Sequence, residues 1–321
     1  MSEQELTTEE LVDKADQLEE LGELNEALRY WRLAVDRESD PVMLCRLGNV
    51  AMELGNLTEA ERAFVSAIEL APNLANAHNL LGLLYLERGD LKAAQSCFLR
   101  SAEIKESART LTLLGVVQLQ LGMTKMARQS LAKALTFDPS YEEAHYNIGL
   151  TYREEFPANA VNSFRRAIDL DSEYGLAHRE LGWILRRLGQ YAEAQSHLRK
   201  AIELDESDGW AYIYLGNLLW TMGDSDAAEQ PFIKATQVWP DDSVPHWCLA
   251  HFYEYQGRAS EADFFYEKAL ELNPDDPQAN RRFGFFLKEI EETEKAKVYL
   301  ERALSLDPDD WDVRTALSEL D

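Results

Sequence analysis

Apolar and small residues recur at helical spacing along the chain, and residues 41–72 show the unit of this pattern most clearly. With residue 41 as position 1, a first stripe falls at positions 4, 7, 8 and 11, namely Leu44, Leu47, Gly48 and Ala51. This 3.6-residue period predicts an amphipathic helix, here called helix A. After a turn at Gly55 and Asn56, a second stripe predicts helix B, which ends before Pro72. Neither helix can bury its stripe alone, so the hairpin requires neighbours on both sides.

The same pattern recurs in nine copies, at steps of 33 or 34 residues. Position 8 is small throughout: Ala15, Gly48, Gly82, Gly115, Gly149, Gly182, Gly216, Ala250 and Gly284. Position 20 is alanine in every copy: Ala27, Ala60, Ala94, Ala127, Ala160, Ala194, Ala228, Ala262 and Ala296. Position 24 is always large: Trp31, Phe64, Phe98, Leu131, Phe164, Leu198, Phe232, Tyr266 and Leu300. Small residues allow the two backbones to approach closely, and the large residue fills the remaining space.

This pattern resembles the tetratricopeptide repeat, and Leu81, Gly82, Tyr85, Ala94 and Phe98 match its signature nearly letter for letter. The resemblance implies an all-α fold, a right-handed α-solenoid of helix-turn-helix repeats. We expect a tail at residues 1–7, a nine-repeat solenoid at residues 8–308 and a capping helix at residues 309–321. The family implies binding of another protein in general and leaves the partner open.

Four local features predict ends of the pattern or departures from it. Thr7 and Glu10 have the spacing of a capping box, so the first helix A should begin there. The fifth copy reads EEFPAN where its neighbours have a glycine turn, which predicts a tighter connection. Pro231 falls inside the seventh helix B and predicts a kink or an early helix start. A final helix covering the last repeat is predicted from Trp311, Val313 and Leu317.

Charge and cysteine content narrow the class of partner. The formal net charge of −26 argues against nucleic acid or an anionic membrane as the main partner, because both carry the same sign. No apolar run approaches the length of a membrane span, and the first ten residues lack the regions of a signal peptide. Cys45, Cys97 and Cys248 are odd in number and have no paired spacing, which indicates reduced thiols. We therefore expect a cytoplasmic protein without a disulfide framework or zinc site.

The search for catalytic chemistry is negative. His78, His145, His178 and His246 all occupy position 4, and recurrence at a packing position indicates a structural role; His197, on a helix B, is expected to be exposed. No zinc-protease, phosphate-loop or nucleophile-elbow motif occurs, and the acidic pairs lie in turns, where they favour the start of the next helix. The sequence predicts a protein that is not an enzyme, with no catalytic residue, metal site or cofactor.

The outward face of helix A is unusually apolar. On a helical wheel, positions 2, 6, 9 and 13 point away from the packing stripe, and positions 5 and 12 flank them. The resemblance implies that helix A lines the concave surface, where these positions form a groove. An apolar groove mixed with arginine is typical of an interaction site. The predicted groove residues are Leu83, Val116, Arg179, Trp183, Arg187, Trp210, Tyr214, Trp220, Trp247, His251, Tyr255, Arg282 and Phe285, and Arg186 and Arg281 lie close by.

These observations favour a non-enzymatic scaffold or adaptor that holds a segment of another protein in its groove. The segment would be a peptide, extended or helical, with apolar residues for the aromatic anchors and acidic residues for Arg179, Arg187 and Arg282. The alternative is a structural or regulatory subunit that self-associates or assembles within a larger complex. A third explanation for Trp220 and Trp247 is that they fill the seam between neighbouring A helices.

Overall fold

The computed structural model describes residues 6–320, and the expected tail at residues 1–7 lies outside this part except for its last two residues. The described part is all-α and contains no strand. Its nineteen helices are α1 (Thr8–Glu20), α2 (Leu24–Arg37), α3 (Pro41–Glu53), α4 (Leu57–Leu70), α5 (Ala75–Glu87), α6 (Leu91–Ile104), α7 (Ala108–Gln120), α8 (Thr124–Phe137), α9 (Glu142–Tyr152), α10 (Pro157–Leu170), α11 (Gly175–Arg187), α12 (Tyr191–Leu204), α13 (Gly209–Thr221), α14 (Ser225–Val238), α15 (Ser243–Tyr255), α16 (Ala259–Leu272), α17 (Pro277–Glu289), α18 (Thr293–Leu306) and α19 (Trp311–Leu320).

Within each compact unit, the helices form antiparallel pairs that stack in order, as in an α-solenoid. The chain divides into two compact units, Met1–Leu170 and Asp171–Asp321. In the first unit, α1 to α10 form five hairpins, in which each odd-numbered helix A packs against the following helix B. In the second unit, α11 to α18 form four hairpins and α19 packs on α18. In the second unit, the odd-numbered helices of consecutive hairpins also touch, in the series α11, α13, α15 and α17.

The predicted fit between positions 8, 20 and 24 is confirmed. Every alanine at position 20 is fully buried. A Cβ atom added at Gly48 would lie 2.3 Å from the ring of Phe64, and one added at Gly182 would lie 2.6 Å from the Leu198 side chain. Since ordinary carbon contacts are about 3.5–4.0 Å, position 8 holds a side chain of helix B directly against the helix A backbone.

The hairpin turns use glycine in a left-handed conformation, as at Gly55, where φ is 75°. The ninth hairpin places Glu291 in the corresponding turn, and its φ of 66° is one that a residue with a side chain rarely adopts. The fifth hairpin has no such glycine: α9 has only 11 residues, and the Phe156 amide donates to the Tyr152 carbonyl at 2.8 Å. The tighter connection predicted there is wrong, because four residues join α9 to α10 and three join the helices of every other hairpin. The shortening of this repeat falls in α9 itself.

The position-4 histidines are structural, as the sequence predicts. His78, His145 and His178 each place Nε2 3.0–3.2 Å from the backbone carbonyl six residues earlier, at the end of the preceding helix B. Asn280 occupies the same position and donates to the Pro274 carbonyl at 2.9 Å. The expectation that His197 is exposed is wrong, because it is half-buried with Nδ1 2.8 Å from Nδ1 of His178.

The remaining local predictions have mixed outcomes. Thr7 and Glu10 form the capping box of α1. Pro231 neither starts nor ends a helix: α14 runs through it from Ser225 to Val238. The final helix exists and buries Val313, but Trp311 is 70% exposed and does not help to cover the last repeat.

Candidate functional site

Eleven of the thirteen predicted groove residues lie on the odd-numbered helices of the second unit. Because these four helices follow one another in contact, their outward faces form one continuous surface. We call the following set, with the neighbouring Arg186, the arginine–aromatic lane: Arg179, Trp183 and Arg187 on α11; Trp210, Tyr214 and Trp220 on α13; Trp247, His251 and Tyr255 on α15; and Arg282 and Phe285 on α17.

The first half of the lane is built around Tyr214. Its ring centroid lies 6.2 Å from that of Trp183 on the preceding odd helix and 5.6 Å from that of Trp210 on its own helix. Trp210 also meets the Trp239 ring edge-on at 6.1 Å. All three lane rings are half-buried, so each supports its neighbours and keeps an accessible part.

Trp220 anchors the second half of the lane. Its ring packs inward against Phe232 at 6.5 Å and sideways against His251 at 5.4 Å and Tyr255 at 5.0 Å. Trp220 therefore fills the seam between α13 and α15, as the packing interpretation predicts. Tyr255 rests on this support and is 72% exposed, so it is the most accessible aromatic ring of the lane.

Arg179 is committed to contacts within the chain. Its guanidinium donates to Asp208 at 3.0 Å and to Glu180 at 3.2 Å. Only 15% of the Arg179 side chain is exposed, against 4% for Glu180 and 7% for Asp208. Asp208 is also the N-cap of α13, so Arg179 ties one odd helix to the start of the next.

Arg281 has the same arrangement. It donates to Asp310 and Asp312 at 2.8 Å each, and its guanidinium lies 5.0 Å from the Phe285 ring centroid. Arg281 therefore joins α17 to the start of α19 and is neutralised by its own chain.

Two arginines of the lane stack on tryptophans. The Arg187 guanidinium lies 4.8 Å from the Trp183 ring centroid, and that of Arg282 lies 5.2 Å from the Trp247 ring centroid. Such stacking holds a guanidinium flat over an aromatic face.

Several donors of the lane are buried without an acceptor. Within residues 6–320, five buried side-chain polar atoms lack a hydrogen-bond partner, and three belong to this surface: Arg186 Nε, Trp247 Nε1 and Arg282 Nε. Arg186 reaches only the Thr221 hydroxyl, at 3.3 Å. Burial, and then the nearby Arg187 charge, lower the pKa of Arg186. Unsatisfied buried donors are costly and uncommon, but these three atoms have almost no accessible surface and are not themselves contact points for a partner. What this surface offers a partner is the positive charge of Arg186 and Arg282, which no carboxylate of the described residues pairs.

The two remaining groove residues lie in the first unit. Leu83 on α5 is partly buried and packs against apolar clusters on both sides, and Val116 on α7 is also partly buried. The aromatic and arginine members of the predicted groove all lie on helices of the second unit.

Trp239, which is not among the predicted groove residues, supports the Trp210 ring of the lane. It packs on Gly209, where an added Cβ would lie 2.5 Å from the indole, and its ring meets that of Trp210. The available signal was the glycine at position 1 of this repeat, which leaves room for a ring.

Reactive chemistry is not concentrated at the lane or elsewhere in the described part. Residues 6–320 contain no cluster of three or more histidine, cysteine or acidic side chains with the arrangement of a metal site. Burial raises the pKa of the Cys45 and Cys97 thiols to about 11, and that of Cys248 further, which keeps all three protonated. None of the described helices has the length and apolar character needed to cross a bilayer.

Fold and site together define a tandem-repeat α-solenoid with an accessible aromatic surface. Models of tetratricopeptide repeats match residues 39–107, 108–141, 175–208 and 209–230, and a model of the C-terminal tetratricopeptide repeats of YpiA-like proteins matches residues 244–310. The chain belongs to the tetratricopeptide repeat proteins, which are typically scaffolds for protein–protein interaction and generally non-catalytic.

Curated relatives share the repeats over part of their length. The chain is 25% identical to the TPR repeat-containing protein YpiA of Bacillus subtilis over 189 residues, 56% of this chain and 43% of YpiA. It is 26% identical to BBSome complex member bbs-4 of Caenorhabditis elegans over 173 residues, 54% of this chain and 30% of that protein. The matched region thus spans less than half the length of either relative.

Solved structures share the fold at low sequence identity. The Cut9–Hcn1 assembly of the APC/C aligns with a TM-score of 0.64 at 16% identity, covering 92% of this chain and 59% of the other. A tetratricopeptide repeat protein of Parabacteroides merdae aligns with a TM-score of 0.63 at 20% identity, covering 77% of this chain and 98% of the other. Yeast Tom70 aligns with a TM-score of 0.58 at 17% identity, covering 98% of this chain and 88% of the other.

Proposed function

We propose that this protein is a non-enzymatic scaffold or adaptor that holds a segment of another protein on the arginine–aromatic lane. The proposal is carried by one observation: half-buried aromatic rings and unsatisfied arginine and tryptophan donors occur together on four consecutive odd-numbered helices. Planar cations beside rigid aromatic rings are the usual composition of binding hot spots.

The partner proposed is a protein segment with apolar and acidic side chains. Apolar groups would cover Tyr255 and its aromatic neighbours, and carboxylates would meet the arginines that the chain leaves without an acceptor. Arg179 is excluded from this role because its guanidinium already donates to Asp208 and Glu180. The net charge of −26 supports a partner other than nucleic acid or an anionic membrane. The proposal needs no cofactor, and it retains the cytoplasmic location expected from three unpaired cysteines.

Tyr255 offers a measurable share of the binding energy. Its exposed 72% corresponds to roughly 100–180 Å² of a side chain that buries about 150–250 Å². Covering that area would contribute about 2.5–4.5 kcal/mol before the cost of ordering the partner. Losing one such anchor weakens binding enough to be seen in a pull-down.

The test compares two exposed aromatic residues. Partners retained by the wild-type chain are identified by affinity purification and mass spectrometry, and retention is then measured for Tyr255→Ala and Phe264→Ala. Phe264 is 60% exposed and lies on α16, away from the lane, so it serves as the matched control. We expect Tyr255→Ala to lose the partner and Phe264→Ala to keep it, with equal helicity by circular dichroism. Equal retention by both variants would refute a binding role for the lane.

The second candidate is a structural or regulatory subunit that self-associates or assembles in a multiprotein complex. Trp311 at the start of α19 supports it, since this tryptophan is 70% exposed and would supply a large apolar contact to another subunit. Relatives that are named as BBSome complex members also fit a subunit role. Light scattering tests it: a stable oligomer that becomes a monomer in Trp311→Ser would favour this candidate, and a monomeric wild type would exclude self-association.

A further inference from the structure

Two arginines mark the ends of the lane, and neither has a counter-charge. Arg186 lies on α11 and Arg282 on α17, and neither forms an ion pair with any carboxylate among the described residues. This is notable in a chain with 58 acidic side chains. Arg179 and Arg281, on the same two helices, each bond to an aspartate at the start of the next odd helix.

At the α17 end, an arginine and a tryptophan from neighbouring odd-numbered helices lie against each other. Arg282 lies over Trp247 at 5.2 Å, and both Arg282 Nε and Trp247 Nε1 are buried without an acceptor. Glu254 on α15 is already engaged, because it accepts from the Tyr266 hydroxyl at 2.5 Å and lies 3.3 Å from Nδ1 of His251. A carboxylate carries the opposite charge and accepts hydrogen bonds from a guanidinium, so one such group from a partner supplies Arg282 with the counter-charge that it lacks within the described residues.

At the α11 end, the Arg186 guanidinium bonds only to the neutral Thr221 hydroxyl, and its Nε is buried without an acceptor. Between the two ends lie Trp220 and Tyr255, whose ring centroids are 5.0 Å apart. The order of groups along the surface is therefore cation, aromatic surface, cation.

We propose that the lane measures the separation of two carboxylates on one extended partner segment, with one acidic side chain at Arg186 and the other at Arg282. This rests on the proposed function and adds a spacing to it. Helices in contact lie about 8–10 Å apart, so the three steps from α11 to α17 span roughly 24–30 Å. An extended chain covers about 3.3 Å per residue, which places the two acidic residues roughly seven to nine positions apart. The residues between them are apolar where they cross Trp220 and Tyr255.

Synthetic peptides test the spacing directly. The probes are fluorescein-labelled, acetylated and amidated peptides of alternating leucine and serine that carry two glutamates 3, 5, 8 or 12 positions apart. Matched peptides replace both glutamates with glutamine or with lysine. Affinity is measured by fluorescence anisotropy with the full chain, and with Arg186→Gln, Arg282→Gln and Arg199→Gln. Arg199 lies on α12, is exposed and serves as the control.

The glutamate pair with spacing 8 is expected to bind best, and the glutamine and lysine series at least tenfold more weakly. Arg186→Gln and Arg282→Gln should each lower affinity for this peptide about tenfold or more, and Arg199→Gln should leave it unchanged. In the Arg186→Gln protein, replacing the peptide glutamate that contacts Arg186 should cause no further loss of affinity. In the Arg282→Gln protein, the same should hold for the glutamate that contacts Arg282. Affinity that is independent of spacing, equal binding of the glutamine series, or no binding of any glutamate peptide would overturn the inference.

Failure of this inference is distinguishable from failure of the proposed function. If partners lost by Tyr255→Ala are still retained by Arg186→Gln and Arg282→Gln, the lane binds its partner without reading two carboxylates. If Tyr255→Ala retains them as well, the lane is not the binding surface.

Discussion

Replacing Arg179 with methionine separates a structural role for this arginine from a binding role. The sequence places Arg179 among the groove cations, whereas the structure shows it between two carboxylates of its own chain. Methionine keeps the apolar stem of arginine and removes the charge. Glu180, 3% exposed, and Asp208, 7% exposed, would then be left without their guanidinium.

The expected loss of stability follows from that burial. Removing one partner of a buried ion pair typically costs about 3–5 kcal/mol, because an uncompensated charge remains. For a unit of this size, each kcal/mol lowers the melting temperature by roughly 2–4 °C, so Arg179→Met should melt roughly 6–20 °C lower by circular dichroism. Arg281→Met is the matched comparison, since the Arg281 side chain is 29% exposed and Asp310 15%, and it should cost less. The triple variant Arg179→Met, Glu180→Gln, Asp208→Asn should recover most of the loss, because no buried charge is left unpaired.

Binding decides between the two roles. At a temperature where Arg179→Met is still folded, its affinity for the partner should equal that of the wild type. An unchanged melting temperature together with weaker binding would refute the structural role and return Arg179 to the binding surface.

Three further predictions concern packing, backbone strain and proton binding. Gly48→Ala should destabilise the chain by roughly 0.5–2 kcal/mol, because overpacking costs about 1–3 kcal/mol and better helix propensity returns about 0.5–1 kcal/mol. In a Phe64→Ala background, where the ring is absent, the same change should become stabilising. Glu291→Gly should raise the melting temperature, because it removes strain of up to about 1–2 kcal/mol at a φ of 66°; a lower melting temperature would contradict this. Burial lowers the pKa of His178, so the folded chain binds fewer protons than the unfolded chain and loses stability as the pH falls below about 6.5. His178→Asn, the residue found at Asn280, should keep the carbonyl bond and show a smaller drop in melting temperature between pH 7.5 and 5; an equal drop in both proteins would refute this.

The repeat architecture could be predicted because it depends on side-chain size at fixed positions. Glycine at position 8 and a large residue at position 24 can be identified in the sequence, and each pair meets in the structure, as Gly48 and Phe64 do. The structural role of the position-4 histidines could be predicted in the same way, because a residue that recurs at one packing position has a role common to those repeats.

Whether each lane residue is paired within the chain could not be predicted, because the pairing depends on side chains one repeat away. Arg179 and Arg186 look alike in sequence, yet only Arg179 has an aspartate 29 residues later at the next N-cap, a spacing that Arg281 and Asp310 repeat. The burial of His197 could not be predicted, because the contact that buries it is with His178, 19 residues away on the other helix of the hairpin. An arginine at position 5 followed by an aspartate at the next N-cap predicts an ion pair within the chain. This criterion separates the paired arginines from the unpaired ones.

The charge of the chain bears on how the lane selects a partner. At long range, a net charge of −26 repels acidic segments, and this repulsion acts over a Debye length of about 10 Å at 0.1 M salt. Among the arginines of the lane, Arg186 and Arg282 are the two for which the described residues supply no carboxylate. Each partner carboxylate beyond those two therefore meets the repulsion of the chain without one of these two arginines to contact. A uniformly acidic tail is accordingly a poor partner, and a segment with two well-separated carboxylates and apolar residues between them is a good one. The surface thus discriminates by the position of charge and not by its amount.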